Sequence, residues 1–208
     1  MLKKFTLLLI GIGMSFAQFT WAAGNPEKGK ALYAVCVACH GTDGAGNKAL
    51  NSPRIAGQEI WYLERQLKNF KTGVRGANSK DVYGMRMRPM AMTLPNDQAI
   101  ADVAAYVNGL KAKPPVAKIK GDTSAGKAAY MICQTCHGAN GEGNKALNAP
   151  KLINQQDWYM VRQLKGFKEG LRGTHPKDVY GMQMRPMSLT LTDDKAINNV
   201  VSYIVTFK

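Results

Sequence analysis

The chain has little with which to do chemistry on its own account: 208 residues contain four cysteines and three histidines, and 14 acidic residues stand against 28 lysines and arginines. All four cysteines fall in two Cys-x-x-Cys-His motifs, so none is left over for a disulfide. No nucleophile–base pair and no proton-transfer dyad can be picked out, which argues against an enzyme. Nothing near either cysteine pair alternates apolar and polar residues as a strand would, which removes the βαβ setting of a thioredoxin-like dithiol. Long apolar runs are missing too. The N-terminal run from Phe5 to Ala17 falls short of the roughly 20 residues a membrane-crossing helix needs.

What is present is concentrated in Cys36-Val37-Ala38-Cys39-His40 and in Cys133-Gln134-Thr135-Cys136-His137, 97 residues later. Two cysteines three apart with a histidine directly after them form the attachment sequence of a c-type haem. The spacing has a chemical reason: the two thiols add across the two vinyl groups of one porphyrin, and the adjacent imidazole is held beneath the iron as its proximal ligand. Cys36, Cys39, Cys133 and Cys136 are therefore expected to bind two haem c groups covalently, with His40 and His137 as axial ligands. A structural zinc site would use the same residue types, but it gathers its cysteine pairs within one small module, and here they lie 97 residues apart.

Lys3-Lys4, the apolar run to Ala17 and the small residues Ala22-Ala23 follow the three-part pattern of a secretory signal peptide over residues 1–23. An uncleaved anchor is the alternative. Cleavage near Ala23 or Gly24 implies a periplasmic protein, and export suits haem attachment, which takes place outside the cytoplasm. The formal charge of +14 becomes +12 once Lys3 and Lys4 are removed. Such a field can steer the protein toward redox partners with acidic docking surfaces or toward an anionic membrane. Nucleic acid is set aside as a partner for an exported chain, and the scattered lysines also fit a merely solvated basic surface.

Sliding the sequence against itself by 97 residues aligns the halves without a gap, with 41 identities in the 75 positions from Cys36 to Leu110. The expected organisation is an N-terminal domain over 24–110, an extended linker over 111–124 and a C-terminal domain over 125–208. Periodicity within each repeat is helical, giving an all-α fold: one helix from about Glu27 into Cys36, a second from Trp61 to Phe70 stopped by Gly73, and a last one after Asp97 carrying Ile100, Val103, Ala104 and Val107. A unit of this size has too little apolar side chain to be stable alone, so the haem must supply part of its core.

Between the second and last helices lies Tyr83-Gly84-Met85-Arg86-Met87-Arg88-Pro89-Met90-Ala91-Met92, copied over 180–189. Methionine is ordinarily adaptable core filler. A haem bound by one histidine, however, has a second axial position, and a thioether there raises the reduction potential. A ligand shared by both repeats must be methionine in both. That removes Met92, whose counterpart is Leu189, and leaves Met85/Met182, Met87/Met184 and Met90/Met187.

The doubled Cys-x-x-Cys-His-Gly, a proline thirteen residues after each histidine, the Tyr-Leu-x-x-Gln-Leu-like helix and a methionine seven residues before the leucine that opens the last helix resemble the dihaem cytochrome c4 family over nearly the whole exported chain. The resemblance implies Met87 and Met184 as the second ligands. It also implies that the carbonyls of Pro53 and Pro150 accept the histidine ring N–H, and that Trp61, Tyr62 and Arg65, with Trp158, Tyr159 and Arg162, pack on the haems or bond their propionates. The expected architecture is two tandem cytochrome c-like domains related by an approximate two-fold. The expected role is carriage of single electrons between a quinol-oxidising complex or dehydrogenase and a terminal oxidase or reductase. The competing readings are a subunit of a larger oxidoreductase and a dihaem enzyme, such as a peroxidase or sulfur-compound dehydrogenase. His175 aligns with Asn78 and reads as an exposed loop residue.

Overall fold

The computed structural model describes residues 23–207. The signal segment, apart from Ala23, lies outside the described residues. Nine helices follow in order among those residues: α1 Pro26–Leu32, α2 Ala34–His40, α3 Ile60–Thr72, α4 Val82–Met92 and α5 Asp97–Gly109, then α6 Thr123–His137, α7 Asp157–Lys168, α8 Val179–Leu189 and α9 Asp194–Ile204. The architecture is all-α and tandem. Its only β features among the described residues are two isolated bridges, Asn47 with Ser52 and Asn144 with Ala149.

The helix ends follow local chemistry. Asn25, Asp81 and Asn96 cap α1, α4 and α5 by accepting backbone N–H groups two or three residues on, and Asp122, Asp178 and Asp193 do the same in the second repeat. Gly73 ends α3 in the left-handed region at φ 77°. Two features depart from the sequence expectation. The first helix is interrupted at Tyr33, whereas its copy α6 runs unbroken into His137. The methionine segments are themselves helices, and each holds its proline, Pro89 or Pro186, inside.

In each repeat the first and last helices cross at a glycine. A β-carbon on Gly29 would lie 2.0 Å from the Asp102 carbonyl oxygen, and one on Gly126 would lie 2.1 Å from that of Asn199, so only glycine permits this approach. Around the crossing the N-terminal core gathers Tyr33, Leu63, Leu94, Ile100, Val103, Ala104 and Val107. The C-terminal core gathers Tyr130, Met160, Leu191, Ile197, Val200, Val201 and Ile204. Buried Tyr33 and Tyr130 each donate a hydroxyl hydrogen bond of 2.8 Å to the carbonyl just past the histidine, of Gly41 and Gly138.

The stretch between α5 and α6 is extended but pinned. Arg54 donates to the carbonyls of Lys113 and Ala112, while Lys118 and Ile119 donate their N–H groups to the buried Asp157 carboxylate. Burial alone would raise the Asp157 pKa, but these bonds and that from Trp158 hold it below the usual carboxylate value. Thr123 and Ser124 already belong to α6.

Candidate functional site

Each histidine ends a helix and is at once turned over by a glycine. The chain leaves α2 at Gly41 with φ 80° and α6 at Gly138 with φ 83°, then loops back so that Gly46 donates to the His40 carbonyl and Gly143 to that of His137. The loop delivers a carbonyl to the ring: His40 Nδ1 lies 2.8 Å from Pro53 O, and His137 Nδ1 lies 2.7 Å from Pro150 O. A carbonyl can only accept, so Nδ1 carries the hydrogen and Nε2 keeps its lone pair for a metal. Both rings are buried, at 4% and 6% exposure. Burial lowers their pKa, against the opposing pull of the proline carbonyls, and keeps them neutral.

The histidines face a continuous cavity of about 690 Å³ lined by both repeats. Cys36, Cys39 and Cys133 reach it; burial pushes the Cys36 and Cys133 thiols up to about 11. A redox CxxC pair needs the opposite shift, toward a stable thiolate. Met87 and Met90 from α4 and Met184 and Met187 from α8 also line the cavity. Met85 and Met182 are 45% and 49% exposed and do not line it.

The residues expected to touch the haems behave differently from one another. Tyr62, Trp158, Tyr159, Arg65 and Arg162 line the cavity, whereas Trp61 does not and packs instead against Tyr62 and Arg65. Arg65 and Arg162 cross to the other repeat. Arg65 donates to the side chain and carbonyl of Asn148 at 3.1 and 2.9 Å, and Arg162 to those of Asn51 at 3.2 and 3.0 Å.

Sequence reasoning passed over a second arginine pair. Arg75 donates to Gln66 Oε1 at 2.6 Å and Gln163 Oε1 at 2.9 Å; Arg172 donates to the same two oxygens. The remaining hydrogen-bond partner of Arg75 is the Tyr159 hydroxyl, so neither guanidinium is hydrogen-bonded to a carboxylate, and the Nε of each is buried without a hydrogen-bond partner. A buried cation lacking a carboxylate is costly unless an anion meets it. The two carboxylates of a haem supply one, so the residues fit the cofactor at its metal, its charge and three of the four attachment cysteines; Cys136 is exposed and does not line the cavity. The signal in the sequence was the retention of Gln66, Arg75, Gln163 and Arg172 at matching positions of both repeats.

The cytochrome c family model matches residues 26–111 and again 123–208. Cytochrome c4 of Azotobacter vinelandii is 36% identical over 97% of both chains. The crystal structure of reduced recombinant cytochrome c4 from Pseudomonas stutzeri superposes with a TM-score of 0.72 at 33% identity, covering 89% of this chain and 100% of that one. The chain belongs to the cytochrome c4 family. Cytochrome c4 proteins are dihaem electron-transfer proteins, and this chain binds a covalently attached haem c in each of its two domains. A further relative, the thiosulfate dehydrogenase electron acceptor of Thiomonas intermedia, is 32% identical over 85% of this chain and 78% of its own.

Proposed function

We propose that this chain is a periplasmic carrier that accepts and passes on single electrons between redox proteins and turns over no substrate of its own. The observation that carries this reading is the equivalence of the two sites: each brings a buried histidine and helix-borne methionines to the lining of one cavity. An enzyme that binds substrate at iron would need one site left open. The similarity to a thiosulfate dehydrogenase electron acceptor supports the same class of role.

In this reading Cys36 and Cys39 form the thioethers of the N-terminal haem, and Cys133 and Cys136 those of the C-terminal haem. His40 with Met87, and His137 with Met184, are the axial pairs. The bound haems supply the one-electron iron couple. The Pro53 and Pro150 carbonyls hold each imidazole in one tautomer and one orientation. Tyr33 and Tyr130 tie down the loop that carries those carbonyls. Arg75 and Arg172 would neutralise the carboxylates of a bound haem, and the methionine helices would shield its iron from water and small ligands. The segment over residues 1–23 directs export.

An optical redox titration with a carbon monoxide challenge tests the reading. Two low-spin, one-electron centres that resist carbon monoxide in the reduced state are expected, with an intact mass two haems above the polypeptide. Ready carbon monoxide binding at either iron would instead mark an open, substrate-binding site.

A further inference from the structure

The two repeats share the histidine-to-proline hydrogen bond, and in both the residue after the proline donates its N–H to a side chain of the other repeat, but the chemistry of that acceptor differs. Arg54 donates its N–H to Gln156 Oε1 at 2.8 Å, and the corresponding Lys151 donates its N–H to Glu59 Oε2 at 3.0 Å. Glu59 and Gln156 are counterparts under the 97-residue shift, so a neutral amide on one side is a carboxylate on the other. The N–H of Lys151 belongs to the same peptide group as the Pro150 carbonyl, which accepts the Nδ1–H of His137 at 2.7 Å. Glu59, a residue of the N-terminal repeat, therefore reaches the histidine of the C-terminal repeat through a single amide.

Hydrogen bonds in series polarise one another, and a charged acceptor strengthens the first of them. The carboxylate makes the Pro150 carbonyl a stronger acceptor, which draws the Nδ1 proton and enriches the ring in electron density. Lys151, Arg54 and Lys111 also face this seam. A cation follows the proline in both repeats, Arg54 bonded to the carbonyls of Ala112 and Lys113 and Lys151 to that of Gly57, whereas a carboxylate accepts the backbone N–H in one repeat alone. On the methionine side, Arg86 lines the cavity where the second repeat has Gln183, adding positive charge to the N-terminal site alone.

Negative charge and a richer donor ligand favour ferric over ferrous iron. We propose that Glu59 sets the C-terminal haem at a lower reduction potential than the N-terminal one, so that the two centres are unequal stations for the electron. This rests on His40 and His137 being the histidine ligands.

The test is a redox titration of the holoprotein followed by NMR, with haem resonances placed in each repeat by contacts to sequence-assigned neighbours. Wild type should show the C-terminal haem oxidised more easily. Glu59→Gln keeps the hydrogen-bond acceptor and removes only the charge. It should raise the reduced-to-oxidised ratio of the C-terminal haem at fixed potential at least threefold, about 28 mV for one electron, and leave the N-terminal haem unmoved. Gln156→Glu should lower that ratio at the N-terminal haem by a similar factor; if it does not fold, Glu59→Gln decides alone. An unmoved C-terminal potential, or equal shifts at both haems, overturns the proposal while histidine signals at both irons remain intact. Loss of those signals already in wild type overturns the ligand assignment instead.

Discussion

The guanidinium of Arg162 lies over the ring of Tyr83 at 4.4 Å, and Arg65 lies over Tyr180 at 4.6 Å in the mirror-image contact. Each arginine leaves α3 or its copy α7 and reaches the methionine helix of the other repeat, so the domains clasp each other across the approximate two-fold. The same arginines hold Asn51 and Asn148, which take left-handed conformations at φ 56° and 55°. The docking surface and the walls of the haem cavity are thus built from the same residues, which couples domain orientation to the geometry between the haems.

Breaking the clasp should loosen the domains without unfolding them. The double variant Arg65→Ala, Arg162→Ala loses the two cation–π contacts that cross between the repeats, each worth about 0.5–2 kcal/mol, and hydrogen bonds from a charged donor at about 1.5–3 kcal/mol each. Proteolysis within residues 111–122 and amide exchange along the seam should accelerate, while both haem spectra stay low-spin. Unchanged cleavage would show that other contacts, such as those of Gln155 and Gln156, hold the domains by themselves.

The methionine assignment separates cleanly by position. Met87→Ala and Met184→Ala should each open one iron, seen as loss of half the near-infrared sulfur-to-iron band and as carbon monoxide binding to one haem per chain. Met85→Ala and Met182→Ala, at exposed positions outside the cavity, should leave both bands intact. Opening by Met90→Ala or Met187→Ala would move the ligand one helical turn along α4 or α8.

Removing a buried cation should stabilise ferric iron. Arg75→Gln and Arg172→Gln each delete one of the two guanidinium groups that are hydrogen-bonded to no carboxylate. Each should lower the reduced-to-oxidised ratio by about threefold to tenfold, the latter equal to about 59 mV for one electron. Both haems should respond, because each guanidinium bridges a glutamine from either repeat. A potentiometric titration with unchanged potentials would place the propionates elsewhere.

Much of this was legible in the sequence because it is local. The Cys-x-x-Cys-His motifs, the prolines thirteen residues on, and helices α3 and α5 are short-range patterns, and comparing the repeats was enough to discard Met92. What was not legible depends on how the repeats dock. Self-alignment shows that Arg65 matches Arg162, but not that each crosses to the opposite loop, a contact between residues 83 or 111 positions apart. The same holds for Arg75 and Arg172, whose significance lies in the acceptors they share across the seam. The helical state of the methionine segments was hidden for a different reason: proline and glycine in each weaken the helical pattern, while the caps of Asp81 and Asp178 and the packing of α4 on α3 and α8 on α7 restore it.

The charge of the chain gives the last prediction. Over the full sequence the formal charge is +14, and Arg86, Arg88 and Lys80 are exposed on and beside α4, next to exposed Val82 and Met85. A transient redox complex buries little surface, so long-range attraction must supply much of the encounter rate. Attraction of this kind is felt over about 30 Å at 0.01 M salt and only about 8 Å at 0.15 M. The second-order rate of electron transfer to an acidic acceptor should therefore fall steeply between about 10 and 300 mM salt, and protein adsorbed on anionic vesicles should elute over the same range. Reversing Arg86 and Arg88 to glutamate should flatten the salt dependence. A rate that ignores salt would mean that the exposed apolar residues of α4 guide docking and that the basic surface serves solubility alone.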